Sequence, residues 1–437
     1  MENRIFSSAG KDRMLLFFYH LLWTVAFFLS VPFLWLLRNE RMAERLALTL
    51  PDRLPRDGPL WIHALSVGEV LSAVALVGAL KEAFRDFELF FSVSTQTGFE
   101  IAQSRLSDQV QAVFFFPYDL YFSVRRAVNT VGPDLVVMVE TDAWPNFLFA
   151  LNSAGVPAVL VNARISDKSF KNYKRLSYFS QRLFARFTKI CAQSNLDAVK
   201  FKNLGIPAHQ VVMTGNIKFD QKFVPMSRGE KAKLKHMLHL NRQAKIFVAG
   251  STHNGEEAIL RDAFIQMKKR FSDLMLVIVP RDPKRAGQVR ELFKEAGVAS
   301  ALVSDLNAAG SRDSVDVVVV DTIGLLDRLY ELADIAFIGG SLVGSGGHNP
   351  LEAAACALPI LFGPDMTDFK EVSRMLLDAG GAVVVKDVGD LVQVVDTVLG
   401  ESGQAALMGR CAHDVFCGNQ GAVAKTLEVI RDTVRYR

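Results

Sequence analysis

The chain has 437 residues, half of them apolar, and a formal net charge of +4. That length suits two core-forming α/β domains, at roughly 100–200 residues each. The near-neutral balance and high apolar content exclude a disordered tail protein and give no electrostatic footprint of a nucleic-acid binder. Cys191, Cys356, Cys411 and Cys417 are scattered without a Cys-x-x-Cys pair. Cys411, His413 and Cys417 lack a recognised ligand spacing, so the expectation is isolated buried thiols. Nothing in the cysteine usage points to an oxidising compartment.

From Met14 to Leu37 runs an apolar stretch of about 24 residues, interrupted only by Tyr19, His20, Thr24, Ser30 and Pro32, long enough to cross a bilayer. Arg4, Lys11 and Arg13 precede it, and Arg38, Arg41 and Arg45 follow, so charge does not set its orientation. No small-residue cleavage site marks a signal peptide. The expectation is a membrane anchor, spanning or deeply embedded, with a buried helix as the alternative.

Beyond Pro51–Pro59 the pattern changes to strands alternating with helices. Leu60–Leu65 is a short buried strand, and Ser66-Val-Gly-Glu69 turns into an apolar helix over Val70–Ala83. Leu89–Val93, Val113–Phe116, Leu135–Glu140, Ala158–Asn162, Ile190–Gln193 and Val211–Thr214 continue the series. After Asp220 a second series opens with a helix over Arg228–Leu240. Strands follow at Ile246–Ala249, Leu274–Val279, Val315–Val320, Ile335–Ile338, Pro359–Phe362 and Ala382–Val385, and Gln404–Arg437 is mainly helical. Continuous apolar strands separated by helices predict parallel sheets covered on both faces. The expected organisation is an anchor and linker over 1–50, one doubly wound domain over 51–222 and a second over 223–437. The strand carboxyl ends of the two domains would face a central cleft.

Polar residues gather at those strand ends. In the first domain they are Ser66, Gly68 and Glu69, then Glu140-Thr-Asp142, then Asn162 and Arg164. Glu69, at a helix start, suits either a capping carboxylate or a general base. In the second domain Gly250-Ser251-Thr252-His253 ends one strand, with Ser251 or Thr252 placed as an N-cap donor. Val279-Pro-Arg281 ends the next, where Arg281 suits a phosphate or a surface bridge to Asp282. Phe337–Glu352 forms a strand, a glycine-rich turn with Gly346 and Gly347, and a helix opening near Pro350. The glycines would let backbone approach a ligand, and free N–H groups at the helix start would favour an anion. Glu352, one turn on, would accept from a sugar hydroxyl. No GxxxxGK[ST] loop, no GxGxxG after a strand and no HExxH is present, so ATPase, dinucleotide and metalloprotease readings lack their fingerprints.

Taken together these pieces resemble the 3-deoxy-D-manno-octulosonic acid (Kdo) transferases of bacterial lipopolysaccharide assembly. The matching runs are Trp61–Glu69, Glu140–Asn146, Asn162–Arg164, Gly215–Asp220, Gly250–His253, Pro280-Arg281 and Gly346–Glu352, in the family's order. The resemblance implies a GT-B fold and a membrane enzyme on the cytoplasmic face of the inner membrane. It implies CMP-Kdo as donor, a lipid A precursor as acceptor, no cofactor, no metal and no nucleic acid. It also implies Glu69 as the catalytic base. Ser251, Thr252, Arg281, Gly346, Gly347, His348, Asn349 and Glu352 would bind the donor. Ser66, Gly68, Glu140, Asp142, Asn162 and Arg164 would bind the acceptor. The sequence departs from the family pattern at Asp142, Ala143, Asp282, Leu325 and Asp365. Asp142 keeps a carboxylate on a shorter stem, while Leu325 and Asp282 lose hydrogen-bonding or positive character. Another GT-B nucleotide-sugar transferase of a lipid glycan, and a non-catalytic membrane scaffold, are the competing readings.

Overall fold

The computed structural model describes residues 41–50, 58–141, 143–221, 223–241, 244–308, 315–401 and 403–435. The apolar run Met14–Leu37 and Asp142 lie outside these residues. Among the described residues no helix is long and apolar enough to cross a membrane. The chain divides into two compact units. The first runs to residue 222 and also takes in the chain from Gln420 onward, while the second is Phe223–Asn419.

The first unit carries β1 (Leu60–Ala64), β2 (Leu89–Val93), β3 (Ala112–Phe115), β4 (Leu135–Val139), β5 (Ala158–Ala163), β6 (Lys189–Ala192) and β7 (Val211–Met213). They form one parallel sheet in the order β3-β2-β1-β4-β5-β6-β7. β1, β2, β4 and β5 are buried at every position, which is why they appear in the sequence as unbroken apolar runs. Successive side chains still alternate between faces. Leu60, Ile62, Leu135 and Val137 enter one core, while Trp61, Val136 and Met138 enter the other.

The second unit repeats the plan with β8 (Lys245–Thr252), β9 (Leu274–Pro280), β10 (Ser300–Leu302), β11 (Val317–Val319), β12 (Ile335–Ile338), β13 (Ile360–Phe362) and β14 (Ala382–Val384). Its parallel order is β10-β11-β9-β8-β12-β13-β14. Strand β10 is absent from the sequence reading. It is a three-residue, half-buried edge pairing only with β11, too short to show a period. Of the thiols expected to be buried, Cys417 is exposed and Cys411 half-buried.

Both termini depart from the expected boundaries. The final helix, Ala422–Arg435, packs on the first unit, although the sequence grouped it with the second. Ala422, Val423 and Ile430 are buried in the core that also holds Val70 and Val77. The Asp220 carboxylate fixes its start by accepting from the N–H groups of Gly421 at 2.6 Å and Val423 at 2.5 Å. An amphipathic stripe shows that a helix needs a partner, not which one.

At the other end, residues 41–50 belong to the fold and are no linker. Ala47 is 1% exposed, the Tyr118 N–H donates to the Arg45 carbonyl at 2.8 Å, and the Arg45 guanidinium lies 4.6 Å from the Tyr118 ring. A chain begun at Asp52 is therefore expected to melt lower than one begun at Arg41, by roughly 4–8 °C. That corresponds to about 2 kcal/mol for the lost burial and hydrogen bonds. Equal melting temperatures would return residues 41–50 to the linker.

Candidate active site

In the first sheet the strand order reverses between β1 and β4, and open α/β sheets hold ligands at the carboxyl ends flanking such a reversal. Glu69 stands there, half-buried, in the first turn of the helix Val67–Ala83. Its carboxylate accepts from the Leu65 N–H at 2.5 Å, so it does stabilise the turn. Ser66 is the N-cap residue and makes no side-chain cap bond. Gly68 is exposed, and a Cβ placed on it meets nothing within 4 Å, so the space before the helix start is open.

After β4, Glu140 adopts φ +60°, a strained conformation for a residue with a side chain. Its Oε1 lies 3.0 Å from Lys218 Nζ. Thr141 exchanges hydrogen bonds with the backbone of Arg164 and ties the β4 and β5 exits together. Asn162 is fully buried, also with positive φ (+56°), and its Oδ1 accepts from the Ile217 N–H at 3.1 Å. It holds the segment that presents Lys218. The Glu140–Asn146 loop closes on Asp119, whose carboxylate accepts from the N–H groups of Asn146 and Phe147. Lys218 was not singled out from the sequence, although it sits inside the Gly215–Asp220 motif.

In the second sheet the reversal falls between β8 and β12. Here the organising group is Glu256, fully buried at the start of the helix Glu256–Lys268. Oε2 accepts from the N–H groups of Gly340 (2.7 Å) and His253 (2.8 Å), and Oε1 from those of Leu342 (2.9 Å) and Ser341 (3.0 Å). The loops leaving β8 and β12 thus share one carboxylate. They approach so closely that a Cβ on Gly339 would lie 2.3 Å from the Ser251 carbonyl oxygen. The adjacent Glu257, 2% exposed, takes a two-pronged bond from Arg285 at 3.0 and 3.2 Å and a bond from the Thr252 hydroxyl at 3.0 Å.

Several donor-side expectations change accordingly. Neither Ser251 nor Thr252 is an N-cap; Gly255 holds that position, and Thr252 is fully buried. Gly346 and Gly347 serve the loop's own packing. Both have positive φ, and a Cβ would strike the Asp368 carboxylate at 2.7 Å or the Met366 sulfur at 2.4 Å. Their N–H groups are not free for an anion, because Gly346 donates to Asp365 Oδ2 at 2.8 Å, Gly347 to the Gly340 carbonyl and His348 to the Gly339 carbonyl. The bonds from Thr367 and Gly346 hold the Asp365 carboxyl below the usual range. Pro350 stands just before the short helix Leu351–Ala355. Asn349 Oδ1 accepts from Leu351, and its amide reaches Glu352 at 3.4 Å.

The side chains available to an anion are elsewhere. Among the described residues exposed Arg281 has no carboxylate within salt-bridge distance, and Asp282 accepts instead from the Lys284 N–H at 3.1 Å. Beside it His253 and His348 share an Nε2···Nε2 hydrogen bond of 2.8 Å with rings stacked at 5.0 Å. Burial first, then the Arg281 charge and His253, lower His348 from 6.5 to about 4. One imidazole must donate and the other accept, so the hydrogen bond fixes both rings, and the lowered value keeps His348 itself uncharged at pH 7. His253 and Glu256 went unremarked as site residues in the sequence. An acid in a first helical turn looks like ordinary dipole compensation.

Two Rossmann-like sheets, each with a polar cluster at its strand-order reversal, define a two-domain α/β protein of the GT-B type. A solved UDP-GlcNAc 2-epimerase from Neisseria meningitidis, bound to UDP-GlcNAc, shares this fold, with a TM-score of 0.60 and 14% identity over 86% of this chain and 100% of that one. Residues 40–221 match the family described as 3-Deoxy-D-manno-octulosonic-acid transferase (kdotransferase). The 3-deoxy-D-manno-octulosonic acid transferase of Haemophilus influenzae is 32% identical over 90% of this chain and 91% of its own length. The transferase of that name from Rickettsia felis is 31% identical over 80% and 73%. The chain belongs to the 3-deoxy-D-manno-octulosonic acid transferase family and is a glycosyltransferase that moves Kdo in lipopolysaccharide biosynthesis.

The histidine pair has a pH signature. His348, with its folded value lowered to about 4, stays neutral where the unfolded chain begins to protonate below 6.5. Its contribution is complete above pH 6.5 and is lost as pH falls toward 4. Between pH 7 and 4.5 the wild type should lose about 2 kcal/mol more stability than His348→Gln. Parallel denaturation profiles would place that titration on another group.

Proposed function

We propose that the donor is CMP-Kdo, that the acceptor is a lipid A precursor, and that transfer is a single displacement at the anomeric carbon of Kdo. The acceptor hydroxyl oxygen bonds to that carbon as the bond to the CMP phosphate oxygen breaks, its electron pair leaving with CMP. Glu69 takes the hydroxyl proton. Arg281, with the His253–His348 pair, neutralises charge growing on the departing phosphate, the kind of preorganised electrostatic help that has large effects on rate. Glu352 and Asn349 hold the ribose. On the acceptor side, Lys218 and Glu140 form a charged pair that meets sugar hydroxyls or a phosphate. Exposed Lys168, Lys171, Lys174 and Arg175, on or beside the half-buried Arg164, are suited to lipid phosphates. The departures at Asp282 and Asp365 leave this arrangement intact, since both carboxylates bind loop N–H groups.

The observation that carries this reading is the exposed guanidinium of Arg281 beside the hydrogen-bonded His253–His348 pair, at a strand-order reversal of a Kdo transferase. The enzyme would work at the cytoplasmic face of the inner membrane, held there by the run Met14–Leu37. A chain begun at Arg41 should then stay in the soluble fraction, and continued sedimentation with membranes would remove that role from the run.

Arg281→Ala is expected to raise the CMP-Kdo concentration needed for half-maximal rate, or to lower the rate, by about ten- to a hundredfold. Charge-assisted bonds to phosphate contribute roughly 1.5–3 kcal/mol each. An unchanged donor dependence would leave Arg281 a surface cation.

Glu69→Gln separates the base from the cap. The amide oxygen still accepts from Leu65 but the side chain takes no proton, so turnover at saturating substrates should fall about a hundredfold or more, with the melt nearly unchanged. If Glu69 is only the acceptor for the Leu65 N–H, the variant should lose at most about 1 kcal/mol of stability and keep its rate. That second result would sink the catalytic assignment and make Glu140 the next residue to test.

A further inference from the structure

At the amino ends of β6 and β7, the opposite edge of the first sheet from Glu69 and Glu140, lies a groove of about 630 Å³. Its polar lining includes Asn152, Arg182, Arg186, Lys189, His209 and Gln210, and none of its lining residues is acidic. None of these residues belongs to the motifs that carry the family resemblance.

The local chain holds the cations firmly. Phe187 is fully buried and anchors the turn between the helix Ser177–Phe184 and β6. Gln210 Nε2 donates to the carbonyls of Phe187 at 3.2 Å and Ala185 at 3.4 Å, bracing that turn. Lys189 Nζ donates to the His209 carbonyl at 2.9 Å, which fixes the ammonium beside the short 3-10 turn Ala208–Gln210 before β7. The Arg186 guanidinium lies 3.4 Å from the Phe149 ring centre and donates to Asn152 Oδ1 at 2.8 Å. Stacked on one face and bonded at one edge, it has few rotamers left to lose. Two buried polar atoms here lack a protein partner, Arg186 Nε and Gln210 Oε1.

Two guanidiniums and an ammonium therefore share a groove with no Asp or Glu in its lining. The cost is visible on Arg186, which burial first and the Arg182 charge second lower to about 10. Entry of an anion would remove that repulsion and engage pre-oriented donors, and such clusters are what bind planar or tetrahedral oxyanions. A phosphate with two negative charges matches three cations better than a single carboxylate does. The volume lies within the range of about 300–1,000 Å³ usual for small-molecule sites, so there is room for more than the phosphate itself.

We propose that this groove is a second anion site that binds a phosphate-bearing ligand, its oxygens meeting Arg182, Arg186 and Lys189. It is separate from the donor and acceptor residues assigned above and does not depend on those roles.

The test is calorimetric titration of the full-length protein with inorganic pyrophosphate at low ionic strength, where screening is weakest. It is done on an Arg281→Ala background so that donor-side binding does not contribute. The double change Arg182→Gln with Arg186→Gln should weaken binding at least tenfold. Lys189→Gln, which leaves the Phe149 stack untouched, should weaken it several-fold with an unaltered melt, so the outcome does not hinge on the double variant folding. No binding at millimolar pyrophosphate, or equal affinity in parent, double variant and Lys189→Gln, would overturn the proposal. Displacement of pyrophosphate by phosphatidate vesicles but not phosphatidylcholine vesicles would support the site with a lipid headgroup as its occupant. Bound pyrophosphate that resists both vesicles would support it with a soluble phosphate compound.

Discussion

One buried carboxylate organises the second unit. Glu256 has no exposed surface and, among the described residues, no cation paired with it; four backbone N–H groups satisfy its oxygens instead. A charge removed from water is tolerated only when its lone pairs are satisfied, and here the satisfaction comes from the two loops on either side of the strand-order reversal. The loop after β12 therefore cannot drift from the loop after β8 without stranding an ion. Gly339 and Gly340 follow from that constraint, because the loop passes against the Ser251 carbonyl and the His348 ring with no room for a Cβ. His348 is in turn brought within 2.8 Å of His253. A rigid loop is what a site needs if its donors are to be aimed before the ligand arrives.

The first unit solves the same problem with several smaller clamps. Asp119 holds the loop after β4, the Asn162 amide holds the segment carrying Lys218, and Asp220 holds the start of the last helix. Each is an acidic or amide oxygen accepting from N–H groups that no sheet or helix ladder could satisfy. Backbone strain collects at the same places, at Glu140 and Asn162 in the first unit and Ser251 in the second. Positive φ also occurs at Ala47, His239 and Ala357, so strain alone does not mark a site.

The sheets were legible in the sequence because buried parallel strands are unbroken apolar runs. The segments between the runs supplied the helices that cover them, and only the short edge β10 escaped. Which loops would carry polar clusters was legible too, from carboxylates and glycines at strand ends. What those residues bond to was not. Gly346 and Gly347 in a glycine-rich turn suggest open backbone facing a ligand, yet their spacing is equally demanded by Asp368 and Met366 on the next loop. Ser251 and Thr252 look like caps because the helix start is visible and the Thr252–Glu257 bond is not. Asn162 looks like an acceptor contact because its complete burial depends on Ile217, 55 residues away. The partner of the final helix was hidden for the same reason, since Asp220 lies about two hundred residues before it.

Arg281 and Arg285 show how far residue type and position can mislead. They stand four residues apart after β9, and both suit a phosphate. Arg285 is committed to Glu257, a nearly buried carboxylate that would be left uncompensated if the arginine turned outward. Its charge is already cancelled and is of little use to a substrate. Arg281 bonds the fold through its backbone N–H, which donates to the Thr252 carbonyl at 3.0 Å, while its guanidinium remains exposed. The neighbouring imidazoles sharpen the difference. Arg281 helps keep His348 uncharged, and one hydrogen bond fixes the orientation of both rings. Arg281 thus keeps an exposed guanidinium beside a fixed pair of rings, whereas the Arg285 guanidinium is committed to Glu257.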